Sequence, residues 1–185
     1  MWLVFDQLAP HDSISEMKGS LVSSIRTLVT YMRERQTSSR SQYLKRVRMF
    51  RDFINEGFGR VRASAEAVLF EFGPNREQAL KLRNAVRAWQ PQIRTLFLLQ
   101  VTLAHIRLRE QTGSLPEDVE RMQEACAKIL DKIADALDQQ LDGGEALPEL
   151  TQAPIAEHSV AGSLANDSLV IAQDLLKQVQ SAGSV

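Results

Sequence analysis

The chain has 185 residues, 44% of them apolar and 24% charged, the proportions of a soluble globular domain with a buried core, not of a disordered segment. One cysteine, Cys126, excludes an internal disulfide framework and a cysteine zinc cage, and fits a reducing compartment. The net charge of −1 hides a division: residues 1–109 hold 18 Lys and Arg against 9 Asp and Glu, whereas residues 110–185 hold 4 against 14.

Met1 to Pro10 is apolar, carries Asp6 and lacks a basic n-region, so it is not a secretory signal. Trp2 beside an apolar cluster suits a membrane-interface position or a segment tucked into a bundle end, and residues 1–12 are expected to be a lead-in. Ser13-Ile-Ser-Glu16 has the form of a capping box, and Ile14, Met17, Leu21, Ile25, Leu28 and Met32 follow at spacings of three and four. That pattern predicts a first helix ending near Arg35, with a polar turn after it. A second helix is expected from about Ser41 to Phe72, with Val47, Ile54, Phe58, Val61, Ala65 and Val68 inward. Gly57 and Gly59 inside it mark either a close helix contact or a flexible point.

Gly73-Pro74 closes that helix and opens a third, from roughly Pro74 to Gln111, with Val86, Trp89, Ile93, Leu96 and Leu103 inward. Pro91 lies in its middle and is expected to kink it. Ser114-Leu-Pro-Glu117 caps a fourth helix reaching about Leu141, with Val119, Met122, Cys126, Ile129, Ile133 and Leu137 inward. Residues 143–165, with Pro148 and Pro154, read as a loop, and Asn166 or Asp167 caps a short C-terminal helix and tail over 166–185. The expected fold is all-α: an elongated antiparallel bundle of four long helices over 13–142, plus the short fifth.

The cations crowd between Arg26 and Arg62. Three readings fit: solvated faces with acidic helices docked on basic ones, a surface toward anionic lipid, or nucleic-acid binding. An isoelectric point near 6.3 and the lack of a nucleic-acid motif count against the third. No phosphate-binding loop, zinc-protease helix, nucleophile elbow or Glu-x-x-His pair occurs, and His11, His105 and His158 are isolated. The expectation is a non-enzymatic chain with no cofactor and no metal.

Two features remain: the opening Trp2-Leu-Val-Phe5-Asp6-Gln-Leu8 and the corner Phe70-Glu71-Phe-Gly73-Pro74-Asn-Arg76. With Gln92-Ile-Arg-Thr-Leu-Phe97, these resemble, in order and spacing over roughly residues 1–110, the fusaric acid resistance family of bacterial efflux proteins, which includes aromatic acid exporters. The resemblance implies a soluble cytoplasmic region between two membrane halves of one longer parent chain at the bacterial inner membrane. It further implies export of small aromatic carboxylates and, through the parent, a periplasmic adaptor and an outer-membrane channel as partners. On this view Gly57, Gly59 and Pro91 are candidate hinges. Arg46, Arg48, Arg51, Arg87 and Arg94 are candidates to face an anion, and a homo-oligomer is an expected assembly. Lys18, Arg26 and Arg33 after the lead-in favour the cytoplasmic side, diluted by Asp6, Asp12 and Glu16. The alternative is a stand-alone helical adaptor module, and no nucleic-acid partner is expected.

Overall fold

The computed structural model describes residues 13–34, 40–70, 76–109, 114–139 and 159–183. These form five α-helices and no strand: α1 Ser13–Arg33, α2 Arg40–Ala67, α3 Arg76–Arg109, α4 Glu117–Gln139 and α5 Val160–Gly183. A 3-10 turn over Val68–Phe70 tightens the end of α2. The 34 residues of α3 span about 51 Å, so the bundle is elongated as the spacing predicts.

Side-chain pairs fix the helix directions. Tyr31 packs its ring 5.7 Å from Phe50 while Ser24, a turn or two earlier in α1, backs onto Gly57, so α1 and α2 are antiparallel. Arg83 and Gln90 of α3 reach the carbonyls of Ala65 and Phe58, which makes α2 and α3 antiparallel as well. Arg26 meets Asp135 and Arg33 meets Glu124, so α4 runs against α1. The bonds Gln92 to Gln178 and Gln100 to Ser168 set α5 against α3.

The fifth helix is where structure and expectation part. It has 24 residues and starts at Val160, not near Asn166, so the 143–165 loop and the short 166–185 helix are both redrawn. Ser159 is its cap: the hydroxyl accepts the backbone N–H of Gly162 at 2.9 Å. Ala165, Ala172, Leu175, Leu176 and Val179 are buried, and α5 packs extensively on α4 and on α3. Leu115, Val119 and Met122 at the start of α4 share a cluster with Ala161 and Ala165 at the start of α5. Thus α4 and α5 run parallel, with residues 140–158 between them in the chain. Around the bundle the order is α2, α1, α4, α5, α3, and the ring closes through a sparse α3–α2 junction.

Burial follows that order. In α4, which lies between α1 and α5, the predicted stripe is buried and so is a second one at Gln123, Ala127, Leu130 and Ala134. The edge helix α2 buries a single stripe around Tyr43, Val47, Ile54, Phe58 and Val61. Each fully buried Leu, Ile or Phe contributes about 1.5–3 kcal/mol, which holds the helices far more firmly than their own propensity does.

Candidate functional site

Of the singled-out residues, Trp2, Phe5, Asp6, Glu71, Gly73 and Pro74 lie outside the described residues, while Arg76 opens α3 at the surface. Gly57 is a packing position: a Cβ there would collide with Ser24 Oγ, whose hydroxyl is already bonded to the Ser20 carbonyl at 2.8 Å. Gly59, two residues on, has open space around it. Helix α3 runs unbroken through Pro91, whose carbonyl accepts the Thr95 hydroxyl at 3.0 Å.

The five arginines nominated to face an anion do not form one cluster. Arg46 lies on the α1 side of α2, with its Nε 2.9 Å from the Glu34 carboxylate. Arg51 pairs with neighbouring Asp52, and Arg94 lies over the Phe58 ring at 5.3 Å. Arg48 and Arg87 are exposed, with no ion pair among the described residues. What Arg48, Arg51, Arg87 and Arg94 share is a side. Phe58 lies opposite Gln90 and Arg94, and residues 48, 51, 55, 58 and 62 recur along the flank of α2 that turns toward α3.

Charge pairing explains why this side stays cationic. Acidic α4 docks on α1: Arg26 reaches Asp135 and Asp138, and Arg33 reaches Glu124 at 3.2 Å and Asp131 at 2.8 Å. The Arg33 guanidinium is held above its usual range, chiefly by its hydrogen bond to Glu124. These carboxylates are spent on α1, on the far side of the ring from the α2–α3 junction. Over 40–70 and 76–109, 14 Lys and Arg face only 4 Asp and Glu.

Sequence periodicity missed the second notable arrangement, a buried polar chain that joins α3, α4 and α5 to the end of α1, with a half-buried link to α2. Arg107, 3% exposed, donates from Nη1 to the Glu34 carbonyl at 3.1 Å and from Nη2 to Gln123 Oε1 at 2.9 Å. Gln123 donates to Gln100 at 2.8 Å, Gln100 to the Ser168 hydroxyl at 3.1 Å, and the Cys126 thiol to the Ser168 carbonyl at 3.5 Å. Glu34 ties in α2 through Arg46. Among the described residues the nearest carboxylate to Arg107 is that of Glu120, 4.0 Å away. Close by, the Tyr31 hydroxyl is buried with no hydrogen-bond partner among the described residues. Burial, and then Tyr43, raise its pKa against the pull of Arg107. Burial also pushes the Cys126 thiol up to about 12, so it is an unreactive core group. Only Gln100, a polar residue inside an apolar stripe, signalled this chain in the sequence.

A groove of 420 Å³ runs along the outer face of α1, lined by Gly19, Ser23, Thr27, Phe50, Arg26 and Asp138. Its charged walls are already paired with each other. His105, one of the isolated histidines, is exposed, with Nδ1 2.7 Å from the Val101 carbonyl. Among the described residues no group of three or more His, Cys, Asp or Glu is placed to hold a metal ion, and no helix is long and apolar enough to cross a membrane. No protein-family model, curated protein or solved structure matches the chain.

Proposed function

We propose that this chain is a non-enzymatic cytoplasmic domain of a bacterial inner-membrane efflux transporter of the fusaric acid resistance type, and that it supports the assembly or gating of small aromatic carboxylate export. The observation that carries the reading is the order and spacing of Trp2–Leu8, Phe70–Arg76 and Gln92–Phe97. The fold is in keeping with it. A bundle whose helices are tied by one largely buried polar chain transmits displacement as a rigid brace, with Gly59 and Pro91 left as the candidate flexible points. The partners under this reading are the membrane halves of the parent chain, a second copy, and, through the parent, a periplasmic adaptor and an outer-membrane channel.

The test is the size and location of the native protein. An antibody to this domain, used on fractionated source cells, is expected to find a band several times the mass of the chain in the inner membrane. A band at the chain's own mass in the soluble fraction overturns the reading and leaves the stand-alone adaptor. That second reading is favoured by Met49 and Phe53, exposed one turn apart on α2, which a protein partner would cover.

A further inference from the structure

We infer that the face formed by α2 and α3 is a docking surface for an anionic phospholipid bilayer. On α2, Arg48, Arg51 and Arg62 lie on the flank turned toward α3. On α3, Arg87, Arg94 and Leu98 follow at spacings of seven and four, on the flank turned toward α2. The bonds from Arg83 to the Ala65 carbonyl and from Gln90 to the Phe58 carbonyl set these flanks edge to edge. Their cations therefore share one solvent-facing side. Arg51 and Arg62 do pair with Asp52 and Glu66, but both are exposed pairs that an anionic surface competes with readily.

The rest of the molecule sharpens the field. Acidic α4 sits across the ring, against α1, so the bundle carries a charge dipole whose positive end is the α2–α3 face. A negative surface would turn that face toward itself before contact.

Apolar side chains decide which polyanion fits. Leu98 is 62% exposed among the arginines of α3, and Leu69 and Phe70, 43% and 77% exposed, stand at the end of α2. Aliphatic groups among cations suit the boundary between headgroups and acyl chains, where both are rewarded. A nucleic-acid backbone would leave Leu98 and Leu69 in water. Two antiparallel helices side by side, each about 40–50 Å long, also present a flat surface. The inference does not rest on the exporter reading, and fractionation of source cells tests that reading separately.

The experiment is flotation of the full 185-residue chain with phosphatidylcholine vesicles, with and without about one-third phosphatidylglycerol, across a salt series. Binding is expected only with phosphatidylglycerol and is expected to weaken steeply with salt. Arg48→Glu with Arg87→Glu should weaken it on the order of 100-fold, at roughly fivefold or more for each charge lost or reversed. Leu98→Ser should weaken it several-fold, an effect that salt does not remove. Lys128→Glu with Lys177→Glu makes the same change of net charge on exposed sites of α4 and α5 and should leave most of the binding. Unchanged melting temperatures establish that each variant folds. Three outcomes overturn the inference: no dependence on phosphatidylglycerol, equal losses in the α4–α5 control, or tighter binding to RNA or DNA of about 16 nucleotides than to the vesicles at equal phosphate.

Discussion

The α1–α4 seam and the α2–α3 seam are both rich in arginine, yet they use it in opposite ways. At the first, Arg26 and Arg33 each reach two carboxylates on the facing helix. At the second, Arg83 reaches a backbone carbonyl and Arg94 a ring, each leaving its charge unneutralised, while Arg87 stands in solvent. What differs is the partner helix: α4 carries seven acidic residues, whereas α2 carries three beside seven basic ones. An arginine's role here is set by the helix across from it, and the split between a basic first part and an acidic second part of the chain resolves into one satisfied seam and one unsatisfied face.

Arg107 is the third environment, and it should give the largest effect. Arg107→Ala leaves the buried Gln123 amide oxygen and the part-buried Glu34 carbonyl without their donor, and should destabilise the bundle by about 3 kcal/mol or more, independent of salt. Urea unfolding at low and high salt measures both the size and the salt independence. A loss under about 1 kcal/mol would mean that the polar chain is ornamental to stability.

The two glycines of α2 should then move in opposite directions. Gly57→Ala forces Ser24 to give way and should cost about 1–3 kcal/mol. Gly59→Ala meets open space and should stabilise by up to about 1 kcal/mol through helix propensity alone. Thermal melts of the pair decide it, since a true hinge at both positions would give two gains.

Alkali should weaken the fold. Burial raises the Cys126 thiol from 9.0 to about 12, so the folded chain keeps a proton that the unfolded chain has lost. The contribution is complete below pH 9 and drains away as pH climbs toward 12, at about 1.4 kcal/mol per pH unit. Tyr31, raised above its ordinary 10.0, adds loss in the same direction at higher pH. Urea midpoints measured from neutral pH upward should fall, and Cys126→Ala should flatten the slope. At neutral pH, Tyr31→Phe removes a buried hydroxyl with no partner among the described residues and should be neutral or mildly stabilising.

The smallest effects return to the seams. Arg33→Ala should cost no more than about 1 kcal/mol, because its partners are 39% exposed, and added salt should erase most of that cost. Arg87→Ala should stay within about 0.5 kcal/mol of neutral. If the two proved equal, the contrast between the seams would be geometric only.

Much of this fold was legible in the sequence. Stripes at spacings of three and four located α1 to α4 within a few residues, and every residue of the α4 stripe from Val119 to Leu137 is buried. The start of α5 was hidden because Val160-Ala-Gly-Ser163 has weak helix propensity, while Asn166 and Asp167 mimic a cap inside the helix. Its place between α4 and α3 could not be read either, since one amphipathic stripe does not name its neighbour. The buried polar chain, Gln100 apart, was invisible for a related reason. Arg107 and Gln123 fall at inward positions, but an arginine on a helix reads as solvent-facing until a carbonyl and an amide are set opposite it. The cationic face was half legible: the arginines were nominated, and the three-dimensional order of the helices removed Arg46 from the set.

The parallel course of α4 and α5 sets a minimum tether. The chain must travel back the length of α4, whose 23 residues rise about 34 Å, before α5 begins. An extended chain covers that distance in about ten residues, and nineteen lie between Gln139 and Ser159. Deletions that leave a dozen should therefore keep α5 docked within its own chain and leave the oligomeric state of the full chain unchanged. Shorter ones would force α5 into the slot of a second molecule, so that the oligomeric state of a deletion series becomes a ruler for the topology.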